Sequence, residues 1–225
     1  MRPELLFFLV LLLGYGVGSI PFSLLIAKWV KGIDLRQVGS GNVGATNVGR
    51  AIGWKWGFLA LLLDALKGLL PTAFLPQLLQ GQPSPLDTHL AVLAGAAAIL
   101  GHLFPIWLGF RGGKGVATAL GVILVLAPWG TLCAAVAFLL LVGITRIVSI
   151  GSIMAALSFA LFELVRGGRE LWSSDSCSLG VFSVVVPLAI IVMHRSNIRR
   201  LLDGNEPGFG SAKKAELTGD GDSPS

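Results

Sequence analysis

Three polar stretches interrupt an otherwise apolar chain, and their residue types point to phosphate. The first, residues 39–50, reads GSGNVGATNVGR. Glycines 39, 41, 44 and 49 permit positive φ and close backbone approach. Ser40, Asn42, Thr46 and Asn47 supply short donors and acceptors. Arg50 ends the run with a planar, permanently charged fork that suits phosphate. Such a loop can wrap an oxyanion in backbone N–H groups. The second, Arg111-Gly112-Gly113-Lys114-Gly115, opens a predicted helix and combines free N–H groups, close approach and a cation. In the third, His194 and Asn197 share one face if the helix continues. An imidazole there can donate to phosphate or take a proton from a hydroxyl near neutral pH. Each stretch also has a plainer reading: a flexible connector, cations obeying a membrane charge bias, and an interfacial histidine.

Two familiar phosphate motifs fail. Gly39-x-Gly41-x-x-Gly44 has the dinucleotide-binding spacing, but its flanks are long apolar runs rather than a βαβ unit. A Walker A loop would need Gly at position 108 and Ser or Thr at 115, where Leu108 and Gly115 stand. His102 and His194 have no Cys or carboxylate at ligand spacing, so no metal is expected.

The positioning elements are membrane helices. The chain of 225 residues is 54% hydrophobic and 13% charged, where a soluble domain carries roughly 25% charge. Mean hydropathy is +0.79. The net charge of +5 fits loops facing an anionic leaflet, with no soluble domain to present it to nucleic acid. Spans are predicted over residues 5–30, 54–79, 86–108, 116–126, 128–144, 148–165 and 179–193, giving an all-α polytopic bundle of about seven crossings. The first is read as uncleaved, with Pro21 kinking it or marking irregular backbone. Ser84 and Pro85 before Asp87 read as the cap of the third helix. The fourth is short and reads as tilted or partly re-entrant. Residues 1–210 form the membrane domain and 211–225 a disordered polar tail. Most Lys and Arg fall on one side, so the N-terminus is expected outside, the C-terminus in the cytoplasm, and all three polar stretches on the cytoplasmic face. Asp64 and Lys67, one turn apart, are the only charged pair expected within the spans; a structural lock is favoured over a functional role. His89 is expected at the outer face, His102 behind the site. Cys133 and Cys177 are not expected to pair.

With these residues in place, the sequence resembles the bacterial acyl-phosphate glycerol-3-phosphate acyltransferases (PlsY type) over residues 4–207. The carriers are residues 39–50, GHLFPIWLGFRGGKGVAT at 101–118 and HRSNIRRLLDGNE at 194–206, joined by Gly18-Ser19-Ile20-Pro21, Asp64 and Lys67-Gly68. The resemblance implies acyl transfer from acyl phosphate to the sn-1 hydroxyl of glycerol 3-phosphate, giving lysophosphatidic acid and phosphate, in a bacterial inner membrane. It implies a functional link to an acyl-phosphate-producing enzyme and no cofactor. None of the three histidines has Asp five positions on, the arrangement of acyltransferases that use thioester donors. His194, Lys114, Ser40 and Asn197 are expected to be catalytic. Gly39, Gly41, Asn42, Thr46, Asn47, Arg50, Arg111, Gly112, Gly113, His102 and Glu206 are expected to bind substrate. The proton acceptor is either His194 or the donor's own phosphate. One departure stands out: Pro207-Gly208 follow Glu206 where family members commonly carry a basic residue. A transporter for a phosphorylated solute is the rival reading; it would call for internal repeats, and none is visible. A metal-dependent alcohol phosphotransferase would need several Asp on one helix, and Asp64 is the only Asp inside a span.

Overall fold

The structure, a computed structural model, describes residues 2–80 and 86–209. The expected cap at Ser84 and Pro85 and the expected tail at 211–225 lie outside the described residues. Ten α-helices form among those described: α1 Pro3–Gly18, α2 Phe22–Lys31, α3 Ala45–Ile52, α4 Trp54–Gln80, α5 Asp87–Leu103, α6 Val116–Leu126, α7 Pro128–Thr145, α8 Val148–Gly167, α9 Cys177–Met193 and α10 Arg195–Leu202. Five stretches are long and apolar enough to cross a membrane, with α1 and α2 counted as one; a sixth arises if α9 and α10, bent by 55°, count together. The shortfall from seven lies in α6, whose 11 residues rise only about 16 Å. Large apolar side chains such as Phe8, Phe58, Leu161 and Val185 point outward, as a lipid-facing surface requires.

Residues 19–21 break the first span. Pro21 has no N–H to continue the helix, and the Ile20 carbonyl accepts hydrogen bonds from the Phe22 N–H at 3.1 Å and from Lys67 Nζ at 2.8 Å. Lys67 also pairs with Asp64 at 2.8 Å, and Ser23 Oγ donates to Asp64 at 3.0 Å. The buried pair thus clasps the broken backbone with a charge-assisted hydrogen bond. Just above the break, α1 and α5 touch: a Cβ on Gly18 would overlap the Ala98 backbone, and one on Gly101 would overlap the Tyr15 carbonyl.

Two expectations need correction. Residues 39–50 are not one loop, because Ala45–Ile52 is helical; Val48 is buried in a cluster with Ile26, Leu35 and Ala60, which gives the segment an apolar face to fold on. Nor is Asp64–Lys67 the only charged pair within the helices. Glu163 lies inside α8, fully buried, with Arg166 one turn on at 3.6 Å. Its place near the helix end hid it among the polar residues that follow. Cys133 and Cys177 are both unpaired.

Candidate active site

The first wall is shaped by Asn47. Its Nδ2 lies within hydrogen-bond reach of the carbonyls of Leu35, Val38 and Asn42 at 3.0–3.1 Å, and its Oδ1 accepts from the Ser40 N–H at 3.1 Å. Gly39 takes φ +60, and a Cβ there would overlap the Asn47 amide. Asn47 therefore folds the loop and does not line the pocket. The N–H groups of Ser40 and Gly41 are likewise occupied, the latter by the Val38 carbonyl at 3.1 Å. What faces the pocket is Ser40, Asn42, and the start of α3 at Gly44, Ala45 and Thr46. The first N–H groups of a helix have no intrahelical partner.

The second wall repeats this logic. The N–H groups expected to hold phosphate at Gly112 and Gly113 instead donate to the carbonyls of Leu103 and His102, at 3.0 and 3.1 Å. These glycines let the chain fold back against the end of α5, since a Cβ on either would overlap His102. Gly115, Val116 and Ala117 then present the start of α6 to the same pocket. Arg111 is exposed and does not line the polar cavity, so the structure does not bring it to the site. His102 is buried at the back, its Nδ1 3.8 Å from Asp64.

The third wall is the bend between α9 and α10. His194 sits at the bend, buried, and its Nδ1 lies 2.8 Å from the Ile190 carbonyl. A carbonyl can only accept, so Nδ1 carries the proton and the Nε2 lone pair is left for the pocket that His194 lines. Asn197 accepts from Lys114 Nζ and donates to Glu206 at 2.6 Å. Glu206 also accepts from Ser149 Oγ at 2.8 Å and Arg200 Nε at 2.7 Å. Arg50 Nη2 donates to the Pro207 carbonyl at 3.0 Å, and the Phe209 ring stacks on Trp54 at 4.0 Å. The segment after α10 is thus a strap across the site, anchored by Ser149, Asn197, Arg200, Arg50 and Trp54.

Burial pushes the Lys114 ammonium down to about 8; Glu206 opposes the shift, while Arg200 and Arg50 add to it. Burial lowers Arg50 as well, again against Glu206. For Glu206, burial works against the charge, yet hydrogen bonds from Asn197, Ser149 and Arg200 hold its carboxyl below the usual range.

The three walls enclose a cavity of about 130 Å³. Ser40, Asn42, Thr46, Arg50, Lys114, His102, His194, Asn197 and Glu206 all line it. It also receives Ser149 and Ser152 from the start of α8 and Phe138 from α7. Sequence reading missed these three, for α7 and α8 show only apolar periodicity around them. Phe138 and Ser152 lead into a second, apolar cavity of about 290 Å³. Among the described residues no three His, Cys, Asp or Glu side chains gather as a metal would need.

Fold and site together define a helical membrane protein with a cation-bearing polar pocket that adjoins an apolar slot. The chain belongs to the glycerol-3-phosphate acyltransferase family, which it matches over residues 8–204, and it is an enzyme of that class. It is 48% identical over 193 residues to a glycerol-3-phosphate acyltransferase of Anaeromyxobacter sp. (strain Fw109-5), covering 86% of this chain and 91% of the relative. The Myxococcus xanthus (strain DK1622) enzyme is 42% identical over 200 residues, covering 89% and 98%. Crystal structures of PlsY (YgiH), an integral membrane glycerol 3-phosphate acyltransferase, superpose on it with 40% identity. The glycerol 3-phosphate form gives a TM-score of 0.79 over 93% of this chain and 98% of that one. The lysophosphatidic acid form gives 0.76 over 91% and 96%.

Proposed function

We propose that this enzyme transfers a fatty acyl group from acyl phosphate to the sn-1 hydroxyl of glycerol 3-phosphate at the cytoplasmic face of a bacterial inner membrane. One observation carries the reading: the N-termini of α3 and α6 meet Lys114 and Arg50 in one pocket whose inner end opens into an apolar slot. Helix N-termini and fixed cations suit phosphoryl oxygens, and the slot suits an acyl chain.

An acyl phosphate is already a mixed anhydride, so no covalent enzyme intermediate is needed; placement and charge stabilisation carry the catalysis. The hydroxyl oxygen attacks the acyl carbon, the carbon–oxygen bond to phosphate breaks, and phosphate leaves. His194 Nε2 takes the hydroxyl proton. Lys114, held by Asn197 and through it by Glu206, and Arg50 neutralise the substrate phosphates together with the first turns of α3 and α6. Ser40, Asn42 and Thr46 supply polar contacts. Gly39, Gly41, Asn47, Gly112 and Gly113 act by shaping the backbone.

Seven crossings fit the way the helices meet the pocket. α5 and α9 reach it with their C-terminal ends, and α6 and α8 leave it with their N-terminal ends. With α6 as a short crossing, the N-terminus lies outside and the C-terminus in the cytoplasm, on the Lys- and Arg-rich side.

The test is turnover by purified protein in detergent. Palmitoyl phosphate with glycerol 3-phosphate should give lysophosphatidic acid and free phosphate, and palmitoyl thioesters should not. Product from a thioester alone would overturn the donor assignment.

A further inference from the structure

The apolar slot has a closed end. It shares Leu61, Val116, Ala117, Phe138 and Ser152 with the polar cavity, which fixes its mouth at the reacting end. From there it runs along α6 to Ile123 and along α8 to Phe159. Its deepest residues on four helices are Ile123, Ala134, Phe159 and Val186, all buried in one packed cluster. Behind Phe159 the way is blocked by a different chemistry. A Cβ on Gly130 would meet both the Phe159 ring and Glu163 Oε1, and neither carboxylate oxygen of Glu163 has a hydrogen-bond partner. An alkyl chain pushed past the floor would meet that carboxylate. The flank is open instead: Leu61 and Leu139, which line the slot, are 37% and 68% exposed.

The depth follows from the helices. From Val116 to Ile123, and from Ser152 to Phe159, is seven residues on each wall, about 10 Å of rise. Three bonds of an extended chain cover about 3.8 Å, so the slot takes about eight carbons. We propose that the enzyme reads only this proximal part of the acyl chain. Ile123, Ala134, Phe159 and Val186 are its specificity-determining floor, and the remainder of a longer chain turns back along the open flank by Leu61 and Leu139 into the bilayer. The inference rests on the acyl-transfer reading of the polar pocket but not on the identity of the donor.

The test uses lysophosphatidic acids with chains of four to sixteen carbons as competitive inhibitors of the purified enzyme. Each methylene that enters the slot should tighten inhibition about fourfold, up to a break near eight to ten carbons, with little gain beyond. Ala134→Leu fills the floor and should move the break about two carbons shorter; Ile123→Ala removes side-chain volume and should move it longer. Melting curves confirm that each variant is folded, and the opposite directions guard against a loss of fold in either. A gain that continues evenly to sixteen carbons, or a break that neither variant moves, would overturn the proposal. Lys114→Ala separates this from failure of the pocket reading: it should weaken every chain length by one common factor, and unchanged inhibition by the whole series would sink the pocket reading itself.

Discussion

Lys114 is a cation that the empty enzyme holds at some cost, and Lys114→Met should expose that. Burial brings its ammonium to about 8. A lysine whose pKa falls on folding destabilises the fold while the unfolded chain keeps its proton. The penalty is therefore complete below about 8 and gone above the ordinary value of 10.5. At about 1.4 kcal/mol per unit the gross penalty is on the order of 3 kcal/mol. Loss of the Asn197 contact and the partly exposed stem reduce the net gain to roughly 1–2 kcal/mol. Lys114→Met should thus melt higher than wild type near pH 7 by roughly 2–8 °C, with the gap closing as pH approaches 10.5. The same change removes a charged contact to phosphate worth about 1.5–3 kcal/mol, or roughly ten- to a hundredfold in kcat/KM. Melting in detergent across this pH range, with and without glycerol 3-phosphate, measures both effects; the ligand should raise the wild-type Tm and leave the variant's nearly unmoved. A variant that melts lower at pH 7, or that the ligand protects as well as wild type, would refute the reasoning.

Further outcomes follow from other parts of the site. Glu206→Gln removes the charge that keeps Lys114 protonated, so the alkaline fall of kcat/KM, expected near pH 8 in wild type, should move to lower pH; an unmoved profile would uncouple the two residues. Asp64→Ala leaves Lys67 buried without its carboxylate, a change worth about 3–5 kcal/mol in other proteins, and should appear first as lost yield and a lower Tm. Wild-type yield and Tm would mean the clasp at residues 19–21 holds without it. Activity should survive EDTA undiminished, and restoration of lost activity by magnesium would contradict a metal-free site. In a variant lacking Cys133 and Cys177, a Cys at Ser40 should label only from the cytoplasm and one at Ser173 only from outside; labelling of both from one side would overturn the seven-crossing topology.

What the sequence revealed depended on how local each signal was. The helices were legible because apolar runs of membrane length bounded by Gly, Pro and charge leave few alternatives; α4, α6, α7 and α8 stand within a few residues of where the sequence puts them. The convergence of Ser40, Lys114 and His194 was legible through charge sidedness. Hydrogen-bond direction was not. Gly112 and Gly113 look like phosphate ligands until their N–H groups are seen on the Leu103 and His102 carbonyls, and Asn47 looks like a substrate contact until its amide is seen inside the loop. Composition cannot tell a glycine that meets a ligand from one that lets backbone fold on backbone. Glu163 and Ser149 were missed for a related reason: both are scattered polar residues of the largely apolar α8, and only the neighbouring helices show which way each faces.

The strap after α10 bears on biogenesis. Translation runs from the N-terminus, so every described helix of the bundle is made before Glu206 and Phe209. A nascent chain that has inserted all its spans still lacks the carboxylate that Ser149, Asn197 and Arg200 hold, and the ring that stacks on Trp54. The contacts of Glu206 and Phe209 therefore form only after the last span has been made. A chain stalled or clipped just after α10 would be an intact membrane protein with an unfinished site.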